Sequence, residues 1–132
     1  MPELWTLDLS RMPYSADYKS RFESANQLRK AGDVDGAIKV LRVLVADFPK
    51  QAAAYLIIGD ILWDEGRLPA AAAAFRVATE RFPKLEIASL GLFHTLWRQS
   101  KTDAAFAEMK RFQSISHSQD YKEIVDEILQ EV

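Results

Sequence analysis

Apolar residues recur along this chain at helical spacing, and the recurrence breaks at regular points. Ala37, Ile38, Leu41, Leu44 and Val45 mark one face of a helix predicted over about residues 34–47. Further helices are predicted over about 16–31, 51–65, 69–81, 85–99, 103–114 and 119–131. Ser15, Asp33 and Thr102 stand where an N-cap belongs, with an oxygen free to accept from the first turn. Gly32 can take the left-handed conformation that ends a helix. Pro69 fits a first turn, where its missing N–H costs nothing. The last stretch is two-faced. Tyr121, Ile124, Val125, Ile128 and Leu129 share one side, and Lys122, Glu123, Asp126, Glu127, Gln130 and Glu131 the other. That is the form of a helix closing the end of an array, apolar inward and polar outward.

Residues 1–14 follow another rule. Trp5, Leu7 and Leu9 alternate with Thr6, Asp8 and Ser10, a period of two, and Pro2 and Pro13 bracket them against helix. This predicts an extended segment whose apolar row needs cover. Three readings stand: it lies on its own helices, pairs with a second copy or a partner, or orders only on binding.

The helices repeat. Gly32, Gly66 and Ser100 are spaced by 34, as are Ala37, Ala71 and Ala105, Leu41, Phe75 and Met109, and Leu28, Leu62 and Leu96. Pro49 and Pro83 keep the same interval. A fixed period of this length with helix–turn–helix inside it means a stacked helical array. The middle unit, from Gln51 to Pro83, is the best preserved. Its alanine run from Ala70 to Ala74 suits close helix–helix approach, with Ala71 at the crossing.

The middle copy, with Tyr55, Ile58, Gly59, Leu62, Ala71, Phe75, Ala78 and Pro83, resembles the tetratricopeptide repeat family. The first copy matches at Ala25, Leu28, Ala37, Leu41, Leu44 and Pro49, and departs at Arg21 and Ser24, where a bulky aromatic and an aliphatic are usual. The third matches at Leu92, Leu96, Ala105, Met109 and Phe112, and departs at Ser89, Phe93 and His117. The resemblance covers about residues 18–131, with repeats at about 18–51, 52–85 and 86–119 and a capping helix at about 119–131. It implies an all-α, right-handed superhelix forming one domain over residues 15–132.

In that family the first helix of each pair lines a concave groove. The period then sets residues in rows: Phe22, Leu56 and Leu90; Asn26, Asp60 and His94; Arg29, Trp63 and Trp97; Lys30, Asp64 and Arg98. These twelve are the candidate partner-binding residues. Leu56, Trp63, Leu90 and Trp97 would anchor a partner, and Lys30, Asp60, Asp64 and Arg98 would set specificity. Tryptophan is enriched at binding hot spots because it buries much area at small entropic cost; the alternative is that both tryptophans fill space between helices. Some family members clamp a terminal carboxylate with lysine, asparagine and arginine. Here Asn26 is in place, but Phe22, Ile57, Ile87 and Gly91 occupy the other positions. The surface instead suits a segment with apolar side chains and basic character near Asp60 and Asp64.

Composition narrows the chemistry. The 132 residues carry 48% hydrophobic residues, enough for a proper core. With no cysteine there is no disulfide framework and no thiolate metal site. The 17 basic residues are scattered among 19 acidic ones, with no basic block, which argues against nucleic acid. No apolar run is long enough to span a bilayer, and the N-terminus lacks a signal-peptide pattern, so a cytoplasmic protein is expected. The two histidines, His94 and His117, lie on different elements. His94 is expected near Asp60 across adjacent helices, and Ser89 is the nearest candidate nucleophile, a weak one. The expectation is a non-enzymatic adaptor without cofactor or metal, monomeric or weakly dimeric, that binds a protein or peptide. A toxin-neutralising immunity protein, a secretion-type chaperone, and self-assembly through residues 1–14 are the alternatives.

Overall fold

The computed structural model describes residues 15–130, and these form seven helices. They are α1 (Ala16–Lys30), α2 (Val34–Asp47), α3 (Ala53–Asp64), α4 (Leu68–Arg81), α5 (Glu86–Arg98), α6 (Thr102–Gln113) and α7 (Gln119–Gln130). The expected extended segment at 1–14, and the self-assembly assigned to it, lie outside the described residues. Each of the first three pairs packs as a hairpin, successive pairs stack through α2 on α3 and α4 on α5, and the first helices of the last two pairs meet as α3 on α5.

The repeat is visible in the turns. Gly32, Gly66 and Ser100 all have positive φ, at 88°, 72° and 63°. Behind each, the chain closes with the same bond: Asp33 N to Leu28 O, Arg67 N to Leu62 O and Lys101 N to Leu96 O, each at 2.9 Å. The amide of the left-handed residue bonds Arg29, Trp63 or Trp97. This double closure satisfies helix-end carbonyls that would otherwise face solvent or core unpaired. The residue after the left-handed one then starts the next helix, which is why Lys101, rather than Thr102, is the N-cap of α6. Of the three equivalents only Asp33 caps with its side chain, accepting from Gly36 N at 2.9 Å. Ser15 caps α1 as expected, accepting from Tyr18 N at 3.1 Å.

The core centres on α3, where every residue from Ala53 to Leu62 is buried. Phe75 of α4 is driven between α3 and α5 at two glycines. A Cβ on Gly59 would meet its ring at 2.8 Å, and one on Gly91 at 2.5 Å. The glycines make the room that a fully buried aromatic at a three-helix junction needs. At the front, the Tyr18 hydroxyl accepts from Ala54 N at 3.0 Å, stitching α1 to the otherwise uncapped start of α3.

The positions that depart from the repeat pattern have found other work. Arg21 lies with its guanidinium 5.7 Å from the Phe48 ring centroid and bonds Asp47 at 2.8 Å, so its stem and charge stand in for the usual aromatic. Ser24 is exposed and bonds back to Ser20 O. Ser89 is fully buried, in a network described below.

Candidate functional site

The C-terminal end is held by polar groups. Ser89 Oγ donates to Glu108 Oε2 at 2.6 Å and lies 2.6 Å from the Tyr121 hydroxyl. Arg111 grips Glu108 through Nε at 2.8 Å and Nη2 at 2.6 Å, and reaches Pro83 O at 3.1 Å with Nη1. This charge-assisted fork satisfies a carboxylate that burial alone would destabilise. Ser118 caps α7 by accepting from Tyr121 N at 3.1 Å. Burial pushes the Tyr121 phenol well above its ordinary range, so it stays protonated and fit for hydrogen bonding.

Aromatic rings extend this latch. Phe93 meets Tyr121 edge-on at 5.4 Å and stacks on Trp97 at 5.9 Å, and Phe106 packs against both Phe93 and Trp97. The bulky residue where the repeat pattern wants a small one thus joins α5, α6 and α7.

The latch holds only the first turn of α7. Five apolar residues were expected to turn inward. Tyr121 is buried, Ile124, Val125 and Ile128 are half-buried, and Leu129 is 66% exposed. Beyond Tyr121 the helix stands off α5. Between them runs a cleft of about 510 Å³ lined by Leu85, Glu86, Ile87, Leu90, His94, Asp120, Glu123, Ile124 and Glu127. A second hollow of about 230 Å³, sharing His94, Ile124 and Glu127, continues it to Phe93, Trp97 and Ile128.

The twelve residues from the row assignment therefore separate. Phe22, Asn26, Leu56 and Asp60 are buried, none more than 7% exposed. Arg29 and Trp63 are half-buried, and Lys30, Asp64 and Arg98 are exposed. Trp63 and Trp97 do not meet each other. Trp63 carries the Arg98 guanidinium 4.8 Å from its ring centroid, while Trp97 packs on Phe93 and Phe106 and remains 41% exposed. Arg29 and Asp64 share a separate polar cleft with Asp33, Asp35, Glu65 and Arg67. Leu90, His94 and Trp97 are brought together along the α5–α7 cleft.

His94 sits there edge-on to Phe93, and burial pulls its pKa below the ordinary imidazole value. No hydrogen bond joins it to Asp60, so the expected imidazole–carboxylate pair does not form. Ser89 is committed to Glu108 and Tyr121. The residues of the larger cleft that sequence reasoning missed are Leu85, Glu86, Ile87, Asp120, Glu123, Ile124 and Glu127. The signal was present on α7, where Asp120, Glu123 and Glu127 fall at i, i+3 and i+7. Glu123 and Glu127 belong to the side of α7 expected to face solvent.

A tetratricopeptide repeat family model matches residues 22–86. Residues 22–86 are tetratricopeptide repeats. Three solved structures share the fold over most of their length. The Yersinia enterocolitica type III secretion translocator chaperone SycD, in an alternative dimer, superposes with a TM-score of 0.67 at 15% identity, covering 91% of this chain and 92% of that one. A CopN–Scc3 complex gives 0.68 at 19% identity, over 95% of this chain and 76% of the other. A mutant of MamA gives 0.62 at 14% identity, over 79% and 76%. These likenesses confirm an all-α superhelical repeat fold. No curated protein sequence matches the chain. Among the described residues, no helix of this repeat protein is long and apolar enough to cross a membrane, and no group of metal-ligating side chains clusters.

Proposed function

We propose that this protein is a non-enzymatic interaction module that holds a segment of a partner protein on the inner face of its repeats, chiefly at the C-terminal end. The observation that carries this reading is Trp97. A large aromatic, braced by Phe93 and Phe106, leaves much of its surface open beside an apolar cleft. A rigid, pre-positioned ring of this kind loses little entropy on binding. Leu90 supplies apolar floor, and Arg98, the residue after Trp97, lies over the Trp63 ring. A binding role rather than catalysis is supported by His94, which faces an aromatic edge and carboxylates without a hydrogen bond to Asp60.

Capture from the source cell tests it, with wild-type chain against Trp97→Ala, both shown folded by circular dichroism. A partner held by the wild type and lost by the folded variant is expected. A partner retained equally by both would move the site off this face. The likeness to a translocator chaperone favours one refinement, that a single cognate partner is held and kept soluble. Co-expression should then raise that partner's soluble yield. A partner equally soluble alone, whose toxicity the chain suppresses, would point to the immunity role instead.

A further inference from the structure

We infer that the trough between α5 and α7 selects a cationic partner segment, with apolar side chains on its floor and lysine or arginine against its rim. This deepens the inner-face reading above and rests on it. The floor is Leu85, Ile87, Leu90 and Ile124, and the rim is Glu86, Asp120, Glu123 and Glu127. Among the described residues, no lysine or arginine lines either hollow. Among the described residues, none of the four carboxylates pairs with a basic side chain. Two arginines of this end are engaged elsewhere, Arg111 with Glu108 and Arg98 over Trp63. Four carboxylates without a basic side-chain partner among the described residues thus face one trough in a chain whose net charge is only −2.

The charges and the apolar floor occupy one surface. On α5, Glu86, Leu90 and His94 fall four residues apart, and Trp97 ends the row. From Glu86 to Trp97 the helix rises about 16 Å. An extended segment covers that length in roughly five residues. Such a segment would alternate apolar and basic side chains, the first buried and the second meeting carboxylates in a partly desolvated setting where attraction is stronger than in water. The basic character expected near Asp60 and Asp64 moves accordingly. Asp60 is buried, and Asp64 sits in a polar cleft already furnished with Arg29 and Arg67.

The test uses the full chain and three short synthetic peptides with identical leucine spacing and lysine, glutamine or glutamate at the polar positions. Binding is read by fluorescence anisotropy at low and physiological salt, and its place by NMR shifts. The lysine peptide should bind best, weaken with salt, and shift Leu90, His94 and Ile124. Glu123→Lys with Glu127→Lys, both at exposed positions, should weaken it by about ten-fold. The salt series on the wild-type chain gives the same answer without a variant. Three peptides that bind alike and shift Leu90 would overturn the charge selection and leave the inner-face reading standing. Peptides that shift only convex residues such as Val43 and Val77 would overturn both.

Discussion

The middle repeat and the C-terminal end of this molecule are built from the same unit and solve opposite problems. Where α3, α4 and α5 meet, the packing is sealed. Ten consecutive residues of α3 are buried, and Phe75 fills the junction with α5 between two glycines. Around α5 and α7 a polar latch fastens one turn of the last helix, and beyond it the surfaces part to leave a trough. The sealed unit keeps the repeat pattern closely. The open one breaks it at Ser89 and Phe93, and those two breaks make the latch. Conformity to the pattern marks the part of the chain that stacks; departure marks the part that does something else.

The largest expected effect tests the sealed half. Phe75→Ala should cost about 3–5 kcal/mol, since it empties a junction that backbone on both sides cannot close. A urea melt showing less than half of that would mean α3 and α5 collapse onto the space, and the core is looser than described. Next comes the latch. Glu108→Ala leaves the Ser89 hydroxyl only Tyr121 as a partner and takes the carboxylate from the Arg111 fork, and should cost about 2–3 kcal/mol. Hydrogen exchange should show α7 amides losing protection before those of α3; simultaneous loss would make the two regions one cooperative unit. Tyr121→Phe keeps the ring contacts and removes one hydrogen bond, so about 1 kcal/mol is expected from the same melts. The smallest change is a gain. Ser100 holds a left-handed conformation that its two counterparts assign to glycine. Ser100→Gly should relieve strain and stabilise by about 0.5–1 kcal/mol. A loss instead would mean the serine side chain contributes more than its backbone costs.

The sequence alone was enough for the period, the turns and the helix pairs. Helix periodicity, capping and left-handed turns are local physics, and local physics is written in neighbouring residues. Thus Asp33 and Gly32, with Gly66 and Ser100 in phase, foretold the hairpins to within a residue or two. The two-faced pattern of 119–131 likewise foretold a terminal helix, and Ala71 proves wholly buried where the crossing was expected. What a residue on a helix faces is another matter, since that depends on which elements close over it. Row arithmetic put Leu56 and Leu90 in one line, yet one is buried and the other lines a trough. It paired Trp63 with Trp97, but each ring found a nearer partner in Arg98 or Phe93. The stand-off of α7 could not be read at all. It follows from a four-residue network drawn from α5, α6 and α7, whose members lie up to 32 residues apart. Spacing set the array, and only the meeting of distant side chains in space decided where the array stays open.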